Sequence, residues 1–425
     1  MIKDKIRKIT PVLSVYHFLF AFFGALFHGF PSRKVKVFAV TGTNGKTTTV
    51  NIIAKIFEEA GYKVASFSST EFIINGKAEP NRFKMTMPGR AVIQKLLKRA
   101  AREGCQIAIM EVTSEGIKQH RHRFINFHSA CFTNLSPEHI ESHGGFENYK
   151  KEKGKLFSKT RKRHVINADD EHADYFLSFS AEKKLRYSIR KDSSAEIKAE
   201  DVKGGKEGVS FFFEGEEMLL PLMGKFNVYN ALVAIALARE EKISKEVIKR
   251  GLRKIGTVSG RMEEVVSSPF KVVIDYAVTP VTLEGVYKEI KEILSPRKLI
   301  CVLGSCGGGR DKWKRPVLGE IADKYCDKAI ITNEDPYDED PQEIIDQIEG
   351  GFSKITNSKP RTPKYEKILE RREAIKRALE VAKEGDVVVV TGKGSEVWMC
   401  LARGEKIPWN EKEIIKEELK KLNIK

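Results

Sequence analysis

The chain lacks paired cysteines. Its six, Cys105, Cys131, Cys301, Cys306, Cys326 and Cys400, include no CxxC spacing. That excludes a zinc site by spacing and a disulfide frame, and the cysteines read as buried thiols of a reducing compartment. No repeat and no low-complexity tract occurs beyond lysine-rich stretches, which excludes a repeat architecture. No basic patch is interleaved with aromatics, so the formal net charge of +17 does not point to a nucleic-acid partner. The lysines stand beside glutamates in runs such as EEKISKEVIKRGLRK and read as solvated helix faces. Acidic substrates and an anionic membrane surface remain as partners. The apolar share of 41% and charged share of 31% are those of a folded protein, and 425 residues suit two or three domains.

Charge is also missing from residues 11–30, PVLSVYHFLFAFFGALFHGF. Lys3, Lys5, Arg7 and Lys8 precede this segment; Arg33, Lys34 and Lys36 follow it. It is long enough to span a bilayer, but a span would send the basic N-terminus outward, against the positive-inside tendency. The run VKVFAVT that follows almost at once leads into the glycine-rich, phosphate-loop-like sequence GTNGKTT; such a nucleotide-binding strand must stay with ATP in the cytosol, which argues against a cleaved signal. Two readings stand: a helix lying in the plane of the inner leaflet, or one packed on the body of the protein or in a dimer.

From residue 34 short apolar runs alternate with helical patterns. VKVFAVT, VASFSST, QIAIMEVT, SACFTNL and HVINA read as buried parallel strands. The expected class is α/β, a doubly wound sheet. Residues 195–222 read as a β meander, followed by two helices from Phe226 to about Ile255. A second α/β series starts at KVVIDYA, and SGRMEEVVSSPF is the joint. The expected division is a hydrophobic N-terminal element over 1–33, a central ATP-binding domain over 34–262 and a C-terminal Rossmann-like domain over 263–425.

The sharpest local signal is Gly42-Thr43-Asn44-Gly45-Lys46-Thr47-Thr48, a shortened G-x-x-x-x-G-K-[ST] between a strand and a helix. Glycines let backbone N–H groups converge on phosphate oxygens, and the helix N-terminus adds positive potential. Lys46 is expected at the outer phosphates and the Thr47 hydroxyl at Mg²⁺. Glu111 and His139 fall at or just beyond strand C-terminal ends, where open α/β sheets place ligands, and could hold a second Mg²⁺. Taken alone, such residues are as often surface or capping groups. Lys153, in YKKEKGKLF, belongs by its spacing to a solvated lysine face.

TGTNGKTTT resembles the ATP loop of the Mur ligases and of the related folylpolyglutamate synthetases. MEVTSEGIKQHR, FTNLSPEHIESHGGFENYKKEKGKLF, INADD, GKFNVYNALVAIA, GRME, DYAVTP, GGGRDKWKRP and GKGSE follow in that family's order. They favour its UDP-N-acetylmuramoyl-tripeptide synthetase branch. The resemblance implies that Glu111, His139 and a carbamate on Lys153 hold metal. It implies that Asn167, Asn227, Asn230 and Asp275 bind ATP, and that Arg261 reaches its γ-phosphate. A carbamate forms on a neutral amine, so Lys153 is then expected to be partly buried with a lowered pKa. The plain reading of Asn227 is a helix cap. Val278 stands where the family has His.

The resemblance further implies that Arg310, Gly392 and Glu396 grip the backbone of an incoming amino acid, beside Glu334, Asp335 and Tyr337. The family's D-N-P-R is here Glu334-Asp335-Pro336-Tyr337. A carboxylate reader is lost and an anion gained, which favours a side chain ending in an ammonium, lysine or ornithine, over diaminopimelate. Thr86, Thr113, Gln119 and Arg121 match acceptor contacts. Family members carry a uridine-nucleotide domain where about 33 residues stand here, so the acceptor is expected to be held by its peptide, linked to a lipid, or not a nucleotide sugar. The expected activity is ATP- and Mg²⁺-dependent amide formation through an acyl-phosphate, in the cytoplasm. Its rivals are another ligase of the superfamily, such as one extending folates, and a membrane-tethered NTPase.

Overall fold

The computed structural model describes residues 2–83, 85–352 and 364–424, the first ten of these by backbone alone. The basic flank Lys3, Lys5, Arg7 and Lys8 lies outside the described side chains.

Helix α1 (Ile2–His28) leads through a short turn into β1 (Lys36–Thr41), the central strand of a nine-stranded sheet. The others are β2 (Val64–Phe67), β3 (Glu71–Ile74), β4 (Lys77–Pro80), β5 (Ile107–Glu111), β6 (Phe127–Phe132), β7 (Arg163–Asn167), β8 (Lys183–Ser188) and β9 (Ile197–Lys198). Their order is β4-β3-β2-β5-β1-β6-β7-β8-β9, parallel except for the β3–β4 edge. β1 and β5 are buried on both faces, which is why their sequences run apolar without alternation. Helices α2 (Lys46–Glu59), α3 (Arg90–Arg102) and α4 (Ser114–Lys118) follow β1, β4 and β5.

The meander expected over 195–222 divides. Ile197–Lys198 extends the large sheet, while β10 (Glu200–Gly205), β11 (Gly208–Phe213) and β12 (Glu216–Leu220) form a separate antiparallel sheet. Asp201, at φ 48°, lies just inside β10, in left-handed backbone where the β10–β11 register is interrupted. The helix Phe226–Glu240 has no polar stripe because nearly its whole circumference is buried, against α2, β8 and β11.

A second sheet has the order β13-β14-β18-β15-β16-β17. Its strands are β13 (Glu263–Val266), β14 (Lys271–Asp275), β15 (Leu299–Leu303), β16 (Lys328–Ile331), β17 (Tyr365–Lys367) and β18 (Val387–Thr391). All pair in parallel except β13, which lies antiparallel on β14. The joint segment therefore contributes the edge strand of this sheet. A small hairpin follows, β19 (Trp398–Cys400) with β20 (Lys406–Pro408).

The six-free-thiol expectation is corrected here. Cys301 on β15 is bonded to Cys326, with Cα atoms 6.3 Å apart. The residues are 25 apart in sequence, and only the crossover helix Lys314–Tyr325 between them brings the two ends of the loop together. Cys105, Cys131, Cys306 and Cys400 are free.

α1 packs on α3 through its small residues. Ala21 and Ala25 are buried, and a Cβ on Gly24 would stand 3.1 Å from Ala91 Cα. No helix among the described residues is long and apolar enough to cross a membrane.

The second sheet's flank depends on one fully buried ion pair, Arg371 with Glu411. Arg371 also donates to Thr391 O at 2.7 Å and Trp409 Nε1 to Glu411 at 2.5 Å. Glu411→Ala leaves a buried guanidinium without its carboxylate and is expected to lower stability by about 3–5 kcal/mol. Denaturant unfolding measures it.

Candidate functional site

The phosphate loop closes at the C-terminal end of β1. Gly42 (φ 151°) and Gly45 (φ 82°) adopt backbone that side chains disfavour. A Cβ on Gly42 would strike Thr133 Oγ1, and one on Gly45 would strike Asn230 Oδ1. The loop is braced from outside: Asn44 N donates to Asn134 Oδ1 at 2.9 Å, and Ser136 N to Thr43 Oγ1 at 3.0 Å. Lys46 Nζ donates to Gly42 O at 3.1 Å and to Thr43 O at 2.7 Å. Burial lowers its pKa, while Glu111 and Glu138 act to raise it.

Behind this loop the helix Phe146–Lys159 turns one lysine inward. Lys153 is buried, and its Nζ donates to the same Gly42 carbonyl at 2.8 Å. It is therefore no part of a solvated face. Burial, then the charge of Lys46, holds its pKa well below the ordinary lysine value.

Glu111 Oε1, at the end of β5, accepts from Thr47 Oγ1 and from Ser69 N, each at 2.8 Å. His139 sits in left-handed backbone at φ 55°. Burial lowers its pKa to about 4, against Glu138 and with help from Arg310, so the ring is neutral near pH 7. Its Nδ1 lies 3.0 Å from Arg310 of the second sheet's flank. Burial acts to raise the Glu138 carboxyl, but His139, Lys314, Lys46 and Arg310 outweigh it and hold the pKa below the usual range.

The asparagines form a connected wall. Asn230 Nδ2 donates to Asn227 Oδ1 at 2.9 Å, and Asn227 Nδ2 to Met223 O at 2.7 Å. The cap of that helix is Lys225, so the capping reading of Asn227 is set aside. Asn167 Nδ2 donates to Thr133 O at 2.8 Å.

The second sheet supplies the opposite wall. Arg261 lies over the Tyr276 ring at 4.5 Å. Burial raises the Asp275 pKa to about 6, with Arg261 opposing, and its carboxylate accepts from Met262 N at 2.7 Å. Val278 contributes its carbonyl, which accepts from Lys314 Nζ at 2.8 Å. Asp311 accepts from the N–H groups of Ile140 and Glu141 at 3.2 and 3.0 Å, pinning this wall to the loop that carries His139.

At Asp335 the charge argument from the sequence is corrected. The fully buried Lys393 donates to Asp335 Oδ1 at 2.8 Å and to Glu396 Oε2 at 2.6 Å, and Cys400 N donates to Asp335 Oδ1 at 2.7 Å. Asp335 is thus engaged within the protein, by a cation it shares with Glu396 and by the Cys400 N–H, and the like-charge objection to diaminopimelate is weakened. Burial raises the Glu334 pKa, and a Cβ on Gly392 would collide with Glu334.

At the far end, Thr113 caps α4 by accepting from Gly116 N at 3.1 Å. Arg121 donates to Gln119 Oε1 at 2.7 Å and also to the Met87 carbonyl.

One cavity of about 1220 Å³ joins these groups. Every site residue named from the sequence lines it, Thr86 and Thr48 included, except Gly392, which stands behind Glu334. Sequence reasoning missed Glu138, Asp311 and Tyr149, whose hydroxyl lies 3.1 Å from Thr43 Oγ1, and missed Lys393 although it lies inside GKGSE. Among the described residues no three His, Cys, Asp or Glu side chains cluster as a metal site. The hard oxygen donors Thr47 and Glu111, joined at 2.8 Å, fit Mg²⁺ sharing its shell with water and phosphate, and the buried Lys153 amine fits the carbamate role. The loop's geometry predicts that Gly45→Ala weakens ADP binding by at least about tenfold with little change in folding. Calorimetric titration reads it.

Comparison with known proteins places this geometry. Residues 40–238 match the Mur ligase middle domain, and residues 260–394 match the Mur ligase, glutamate ligase domain. The UDP-N-acetylmuramoyl-L-alanyl-D-glutamate–2,6-diaminopimelate ligase 1 of Clostridium acetobutylicum is 39% identical over 411 residues, 95% of this chain and 82% of that protein. A solved structure of a ligase with the same substrates in its name superposes with a TM-score of 0.61 at 29% identity, over 92% of this chain and 79% of that one. Folylpolyglutamate synthase of Mycobacterium tuberculosis shares the fold, with a TM-score of 0.72 at 18% identity, over 91% of this chain and 95% of that one. With relatives that alike in sequence, and with a phosphate loop facing a second α/β wall, the chain belongs to the Mur ligases, ATP-dependent enzymes that form amide bonds.

Proposed function

We propose that this protein joins a diamino acid to the free carboxylate of a muramoyl-peptide acceptor, making a peptidoglycan precursor in the cytoplasm with ATP and Mg²⁺. The observation that carries the reading is the shared cavity: the phosphate loop and the Arg310–Glu396 pocket face one space from two separate sheets. The diamino acid and the muramoyl dipeptide follow the names of the relatives.

In this reading the acceptor carboxylate, held by Thr86, Thr113, Gln119 and Arg121, attacks the γ-phosphate of ATP. The bond to ADP breaks, and Lys46 and Arg261 offset charge on the transferred group. Asn167, Asn227, Asn230 and Asp275 hold the nucleotide. Thr47, Glu111, His139 and a carbamate on Lys153 would hold Mg²⁺, which would supply further neutralisation of phosphate charge. Arg310 fixes the α-carboxylate of the amino acid, and Glu396 fixes its amine. That amine attacks the acyl-phosphate, phosphate leaves, and an amide remains. Closure of the two walls keeps water from the acyl-phosphate.

The acceptor's carrier is a uridine nucleotide or a lipid, since both present the same peptide carboxylate. Because Asp335 is engaged by Lys393 and by the Cys400 N–H, and because the relatives are named for diaminopimelate, meso-diaminopimelate is expected to serve at least as well as lysine or ornithine.

Phosphate release, measured with each amino acid and with muramoyl dipeptide with and without UDP, tests the proposal. Release should require both the amino acid and the acceptor, and Asp335→Asn, which removes one anion and leaves Lys393 paired with Glu396 alone, should shift kcat/KM further toward diaminopimelate. Release that ignores both substrates would mark an NTPase and end the ligase reading.

A further inference from the structure

A helix on the surface of a protein in water buries its large apolar side chains and exposes its polar ones. α1 does the reverse. Ser14, His17, Ala21, Gly24, Ala25 and His28 recur at helical spacing and form the face turned to the body. Val12, Tyr16, Leu19, Phe20, Phe23 and Phe27 point away, Phe23 at 59% and Phe27 at 81% exposure. The small inner residues let the backbone approach α3 closely, as at Gly24. The polar ones are used: Ser14 Oγ lies 2.8 Å from His120 Nε2, and His17 bonds to Arg90. The outer face has no partner of this kind within the described chain, beyond the rings of Phe18 and Phe22 against Phe124.

Cations flank α1 on its body side and at its C-terminal end. Arg33 and Lys34 follow the helix and are exposed. Lys95, Lys98 and Arg102 lie near enough to His28 to lower its pKa, after burial, and Arg123 stands over the Phe18 ring. We infer that α1 lies in the plane of an anionic bilayer, its outer face among the acyl chains and these cations at the lipid phosphates. A second copy of the chain fits less well, because face-to-face pairing would bring the same cations against each other. A spanning helix does not fit, because the inner face is engaged with protein.

The inner face also bears on the cavity. Arg90, held by His17, donates through Nε to Gln119 O at 2.8 Å. α1 therefore clamps the loop that carries Gln119 and Arg121, and docking would set the acceptor end of the cavity beside the bilayer. That orientation rests on the acceptor reading above; the docking itself does not.

Sedimentation of the full chain with phosphatidylglycerol or phosphatidylcholine vesicles, at low and high salt, tests the docking. The parent should partition to phosphatidylglycerol at least about tenfold better than to phosphatidylcholine, and salt should weaken it. F23E/F27E and the separate flank variant K95E/R102E should each lower that partition about tenfold, with circular dichroism and phosphate release unchanged. Parent protein that ignores phosphatidylglycerol, or variants that both bind as the parent does, overturns the inference. So does a dimer in light scattering that F23E/F27E dissociates while vesicles are ignored, because a second copy then covers the face.

Discussion

Two lysine side chains converge on one carbonyl oxygen, that of Gly42, and the site is arranged around that crowding. Two ammonium groups sharing one buried acceptor repel each other, and burial adds to the cost of charging either. The protein meets this with anions on one side: Glu111 and Glu138 both act to keep Lys46 charged. Lys153 receives less of this help. Burial and Lys46 both push it toward the neutral amine, and only Glu138 opposes. A neutral buried lysine beside a phosphate loop is a nucleophile of the kind that takes up CO₂. In the proposed reading the product would be an anion where a second cation is unfavourable, and it would offer a metal an oxygen ligand beside His139 and Glu111.

The rest of the fold serves to hold opposing walls around that point. The nine-stranded sheet delivers Gly42, Glu111 and the loop after β6 at its parallel C-terminal ends, where the strand order reverses about β1. The second sheet brings its own C-terminal ends to face them. Asp311 joins the walls by capping the first N–H groups after His139. A ligand between the walls thus meets groups whose positions depend on both sheets, and this suits a reaction that must bring a phosphate, a carboxylate and an amine together.

Contiguous features were legible in the sequence, and features made by long-range packing were not. The phosphate loop shows itself because its seven residues act as one local unit. The burial of Lys153 was also written locally: Tyr149, Leu156 and Phe157 make an apolar stripe at helical spacing, and Lys153 falls on that same buried face, which the surrounding lysines mask. In α1 the absence of charge was visible, but the stripe of small and polar residues through Ser14, His17, Ala21 and Gly24 went unread, and burial shows that it is the face turned inward. The Lys393–Asp335 pair spans 58 residues, and the Cys301–Cys326 bond closes a crossover. Neither leaves a spacing to read. β8 was passed over because KKLRYS is half polar, yet it lies between β7 and β9, where its alternate residues Leu185 and Tyr187 are buried.

The central claim is that Lys153 enters the site as a neutral amine and is held there as a carbamate. Carbon-13 NMR of the protein equilibrated with ¹³C-bicarbonate and Mg²⁺-ADP tests it most directly. The account predicts one slowly exchanging carbamate resonance, lost in Lys153→Arg and retained in Lys155→Arg. A spectrum without that resonance, or one that keeps it when Lys153 is replaced, would contradict the account.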